Sequence, residues 1–185
     1  MSSKAVRAFE FSTPRKEHPM SFYESTVPVF LHTLGNLSKF LDKAEAYCQS
    51  RKIQPETLLG ARLYLDMLPF SSQIQNACDA AAKNCARVTH SEVPSVPHTE
   101  KTFDELRQRI AQTIEYLKSF KPAQFEGADA KDVTLAIGPN STTMKGRQLI
   151  SNIAFPNFFF HVTTAYGILR HSGVDIGKRD YLGLV

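Results

Sequence analysis

The chain has 185 residues, 42% of them hydrophobic and 22% charged, enough for one domain with a sizeable core and too few for two. A net charge of +4 is spread over scattered lysines and arginines with no basic cluster, so nucleic acid is not an expected partner. No run approaches the roughly 18 uninterrupted apolar residues of a membrane span, and the N-terminus lacks the apolar stretch of a secretory signal, so no membrane partner and a cytoplasmic location are expected.

Residues 1–19 mix Arg7, Glu10, Arg15, Lys16 and Glu17 without apolar periodicity and read as a flexible arm before one domain over residues 20–185. Ser21-Phe22-Tyr23-Glu24 has the form of a capping box. The first helix then either starts near Thr26 with Pro28 in its first turn or is kinked at Pro28. Val27, Phe30, Leu31, Leu34, Leu37, Leu41, Ala44 and Cys48 recur in steps of three and four, the mark of an amphipathic helix.

A second helix opens at Pro55 and carries Leu59, Leu63, Met67, Phe70, Ile74, Ala77, Ala81 and Cys85 at spacings of four and three, with Pro69 bending or splitting it. Cys78 and Cys85 sit seven residues apart on it, roughly 10 Å in rise, beyond disulfide reach. Buried reduced thiols are expected. Val88–Lys101, with Pro94 and Pro97, reads as a loop. Thr102-Phe103-Asp104-Glu105 is a second capping box, opening a third helix through Leu106, Ile110, Ile114 and Leu117 that ends before Pro122.

Asp132 to Ile137 alternates as a strand does, Gly138-Pro139-Asn140-Ser141 is turn chemistry, and Thr142 to Met144 can return as the second strand of a small hairpin. The densest apolar run follows. Pro156 should divide it into a short helix over residues 147–153 and a longer one from Pro156 to about His171, with Gly173 just past its end. The fold class expected is all-α: an antiparallel four-helix bundle with a β-hairpin or extended insertion between helices three and four.

Three blocks carry a family resemblance: Pro156 to Arg170 followed by Gly177-Lys178-Arg179-Asp180-Tyr181-Leu182-Gly183; Met20-Ser21-Phe22-Tyr23 leading to Val27-Pro28-Val29-Phe30; and Asp66-Met67-Leu68-Pro69-Phe70 leading to Gln73-Ile74. Together they resemble an uncharacterised helical-bundle family grouped with the DinB/YfiT-like superfamily of metalloenzymes. The resemblance implies a bundle in which one histidine of the second helix and a His-x-x-x-His pair of the last helix hold a divalent metal, often in a homodimer. This chain departs from that pattern. His161 matches the first histidine of the pair, Ala165 stands four residues later, and no histidine lies between Pro55 and Arg87.

The residues themselves leave His161 as the candidate catalytic group, with Asp66 to orient it. Gln73, Tyr166 and Phe70 are candidate ligand-binding residues. His161 and His171 are ten residues apart and point about 80° apart along about 15 Å of helix, so they cannot share one ion. No cofactor is expected. A divalent metal, if bound, would need His161 with Asp66 and Gln73, which on one continuous helix would share a face. Desolvation among Phe158, Phe160 and Tyr166 would favour a neutral imidazole suited to proton transfer. Whether the protein is an enzyme is left open. The function expected is small-molecule binding near His161 and Asp66; the alternative is a non-catalytic homodimeric scaffold that lost the metal site. Three consecutive phenylalanines point in three directions on a helix, so one must face outward, toward a second copy.

Overall fold

The computed structural model describes residues 19–137 and 140–184. The expectation for residues 1–18, and for Gly138 and Pro139 in the hairpin turn, lies outside the described residues.

Four long helices form the frame: α1 (Val27–Arg51), α3 (Phe70–Val88), α4 (Phe103–Ser119) and α6 (Phe155–His171). Three short α-helices, α2 (Pro55–Leu59), α5 (Gly146–Leu149) and α7 (Lys178–Leu182), a 3-10 turn over Pro122–Phe125, a π segment over Ile150–Ala154, and the hairpin β1 (Asp132–Ile137) and β2 (Asn140–Lys145) complete the described elements. A count of four therefore covers only the long helices. α3 is the central element: it packs against α6 on one side and α4 on another, while α1 lies on α4 and carries α7.

The periodicity of α1 produces what it promises. Val27, Phe30, Leu34, Leu37, Leu41 and Ala44 are all fully buried. Pro28 sits in the first turn, where its missing N–H is no loss. The Ser21–Glu24 capping box forms, Ser21 N donating to Glu24 Oε2 at 2.9 Å and Glu24 N to Ser21 Oγ at 3.2 Å, but it caps the turn before α1 rather than α1 itself. The Thr102–Glu105 box does cap its helix, α4.

The second helix departs from expectation. It does not run from Pro55 to Arg87 with a bend: five residues of α2 end at Leu59, residues 60–69 form an irregular crossing, and α3 starts at Phe70. Leu63 and Met67 fall on the helical period of their neighbours, yet the backbone here bonds otherwise. Phe70 N donates to Ala61 O at 2.8 Å and the Arg62 guanidinium donates to Met67 O.

Pro156 also acts differently from the expected break. The backbone stays in the right-handed helical region at Leu149, Ile150, Ala154 and Phe155, so α5 runs on into α6. Residues 150–154 form a π turn in which Phe155 N donates to Ile150 O. A regular α-turn would set the Pro156 ring against the carbonyl four residues back; the wider turn removes that opposition.

The hairpin pairs Asp132 with Lys145 through Ile137 with Asn140, so Asn140 and Ser141 belong to the returning strand rather than to the turn. Val133 and Leu135 are buried, whereas Thr134 meets Thr143 on the open face, Oγ1 to Oγ1 at 2.8 Å. A two-stranded sheet is marginal alone. Here it is fastened at its base, where Gly146 N donates to Lys131 O and Arg147 N to Asp129 O, each at 2.9 Å. Cys48, Cys78 and Cys85 are free and buried.

Candidate functional site

His161 projects from the second turn of α6 toward α3 and is buried. Its Nδ1 lies 2.7 Å from Oε1 of Gln73, a residue of the first turn of α3 that is itself buried. The Gln73 amide nitrogen donates to Leu68 O at 2.9 Å. An NH2 group can only donate, so this bond turns the amide oxygen toward the imidazole. Nδ1 therefore carries the proton and donates to Gln73. Nε2 keeps its lone pair and has no protein partner among the described residues. Burial lowers the His161 pKa from its ordinary value, which favours this neutral form.

Gln73, not Asp66, orients the histidine. Asp66 is exposed on the 60–69 crossing, and the face it was expected to share with Gln73 does not exist because no helix joins them. Phe70 is wholly buried at the start of α3, in the core rather than on a surface a ligand could reach. Tyr166 lies five residues beyond His161, about 140° around the helix. It packs edge-on to Tyr181 with ring centroids 5.8 Å apart and near Phe40 at 6.0 Å, on the side of α6 facing α1 and α7. The structure thus joins His161 with Gln73 and leaves Asp66 and Tyr166 apart from that pair.

The surface beside His161 is apolar. Phe160 is 55% exposed, while Phe158 is fully buried and Phe159 partly so. The crossing adds Leu63, Leu65 and Leu68, all exposed. Leu63 lies over α6 at Gly167, where a Cβ would meet its Cδ2 at 3.8 Å.

The three-imidazole metal site of the wider superfamily does not fit these residues. Ala165 is buried where the second histidine of the pair would stand, and α3 supplies an amide where the site needs a third imidazole. Among the described residues no group of three or more His, Cys, Asp or Glu side chains is placed to hold a metal ion. Again among these residues, no helix is long and apolar enough to cross a membrane.

Sequence reasoning missed Arg109. It falls in the stripe Leu106, Arg109, Ile110, Thr113, Leu117 of α4, and a charged residue at a core position was the signal available.

These features define a mostly helical, DinB-like protein whose last long helix carries one oriented histidine. The chain belongs to the family described as the domain of unknown function DUF1993, which matches residues 22–182. A crystal structure of a DinB family member protein from Shewanella denitrificans is 40% identical, covering 87% of this chain and 91% of that chain with a TM-score of 0.82. No curated protein matches the chain.

Proposed function

We propose that the protein binds a small molecule at the His161 face of α6, using the Nε2 lone pair to accept a proton or hydrogen bond from the ligand, without the three-histidine metal site. The observation that carries this reading is the relay from Leu68 O through the Gln73 amide to His161 Nδ1, at 2.9 and 2.7 Å. It holds the ring in one tautomer and aims its basic nitrogen away from the core partner, the arrangement a general base or a ligand anchor requires. The exposed leucines of the crossing and Phe160 supply an apolar wall, and Asp66 is the carboxylate of that crossing.

The test is ligand-observed NMR with a panel of phenols, thiols and carboxylic acids on native protein and on His161→Ala. Binding of a donor-bearing compound that disappears in the variant supports the reading; binding of none, or equal binding to both proteins, ends it.

A second reading, a homodimeric scaffold, is favoured by the 55% exposure of Phe160. An exposed aromatic ring of this kind is what an interface anchor presents before a partner covers it. Sedimentation velocity at micromolar concentration distinguishes the two: a dimer dissociated by Phe160→Asp supports it, and a native monomer removes it.

A further inference from the structure

Away from His161, a cavity lies between α3 and α4 beneath the strap of residues 89–102. Its volume is about 180 Å³ and its walls include Cys78, Ala82, Pro94, Val96, Gln112 and Tyr116. An apolar cavity of about 150 Å³ is enough to take up benzene. The space therefore suits one ring.

The strap over it is tied down at several points. Tyr116 Oη donates to Glu92 O at 3.2 Å, and Gln75 Nε2 donates to Glu100 Oε2 at 2.8 Å. The main tie is Arg109, whose side chain is only 3% exposed. Its Nη1 donates to Pro97 O at 3.0 Å and Glu100 Oε1 at 2.8 Å, and its Nη2 donates to Asp79 Oδ1 at 2.6 Å. The second oxygen of Asp79 takes Lys83 at 2.6 Å and His98 at 3.2 Å. The Arg109 and Lys83 cations are matched by the Asp79 and Glu100 carboxylates, so the cluster offers no excess charge of either sign from these four groups.

One buried nitrogen of this cluster has no acceptor at all. Arg109 Nε is buried and is the only guanidinium nitrogen without an acceptor. Leaving a buried donor without an acceptor is costly, and Arg109 itself lines the cavity.

We infer that this cavity is a binding site for an uncharged, single-ring molecule bearing one hydrogen-bond acceptor, the ring lying against Ala82, Pro94, Val96 and Tyr116 and the acceptor meeting Arg109 Nε–H. Charge neutrality of the cluster excludes a carboxylate as the preferred head group, and the unused donor distinguishes an acceptor-bearing ring from a plain hydrocarbon. Because Nε is shut off from solvent, the acceptor reaches it only when the strap shifts, so strap amides report binding.

The experiment titrates 15N-labelled full-length protein with benzamide, toluene and benzoate, following the Arg109 Nε–Hε cross-peak and the strap amides. Benzamide should move both and bind at least tenfold tighter than toluene or benzoate. Val96→Trp, at a half-exposed strap position that leaves the core intact, should abolish this, as should Ala82→Phe in the wall. An unmoved Arg109 Nε–Hε peak, equal binding of toluene or benzoate, or benzamide binding that survives either folded variant overturns the inference.

Discussion

Gln73 Oε1 and His161 Nδ1 meet at 2.7 Å between the first turn of α3 and the second turn of α6, and both side chains are buried. One hydrogen bond thus spans the two helices most extensively packed together and sets the tautomer of the one buried histidine among the described residues.

Replacing Gln73 by Leu strips the acceptor from a buried N–H and the donor from Leu68 O. A loss of about 1–3 kcal/mol is expected in urea unfolding, the cost of stranding buried polar groups. Adding His161→Phe to Gln73→Leu should recover a large part of it, because removing both partners leaves little unpaired. A double variant no more stable than Gln73→Leu alone would show that packing, not the hydrogen bond, dominates here.

His161 also predicts a pH dependence. Burial lowers its folded pKa below the ordinary 6.5, so below that value the unfolded chain binds more protons than the folded one. Its stabilising contribution is complete above about pH 6.5 and is lost as pH falls toward the lowered folded value. The slope can reach about 1.4 kcal/mol per pH unit for one proton. His161→Phe should flatten this part of the stability profile; an unchanged slope in that variant would assign the effect to another group.

Much of the frame is legible in the sequence, since α1 carries its 3–4 period and α4 both a period and a capping box, all local signals. The failures come from chemistry that is not local. Leu63 and Met67 keep the helical period of α3, but the carbonyls of Ala61, Met67 and Leu68 find donors in Phe70 N, Arg62 and Gln73, so the crossing needs no helix. That error placed Asp66 beside Gln73. Pro156 signals a break, and only the backbone shows that a π turn absorbs it. The link between Gln73 and His161 spans 88 positions and exists through α3–α6 packing alone. His161 itself was visible as a histidine set among the aromatics of an apolar helix.

Gly146 is a point of tight tolerance. A Cβ there would overlap the Ala128 carbonyl oxygen, a backbone atom that cannot swing aside. Gly146→Ala should therefore separate the start of α5 from the 127–131 turn and break the Gly146–Lys131 and Arg147–Asp129 bonds. A loss of roughly 1–3 kcal/mol is expected, typical of overpacking. Hydrogen exchange should rise at Gly146, Arg147 and the hairpin before α3 is affected. Unchanged protection there would mean that the hairpin is held by Val133 and Leu135 instead.

Arg109 makes the largest prediction for stability. Its guanidinium sits between Asp79 and Glu100, whose side chains are 17% and 11% exposed. Burial works to raise both carboxyls, yet Lys83 and Arg109 hold Asp79 below its ordinary value, and Arg109 with Gln75 does the same for Glu100. Arg109→Leu leaves two buried carboxylates facing each other across a severed strap, so a loss of about 3–5 kcal/mol at neutral pH is expected. The sign with pH follows from the lowered carboxyls: the stability they confer is present above about pH 4 and is lost as pH falls through their folded values. The gap between native protein and Arg109→Leu in urea unfolding should therefore narrow steadily below about pH 4. A gap that stays constant down to pH 3 would mean that the guanidinium acts by packing its stem, not by holding two charges.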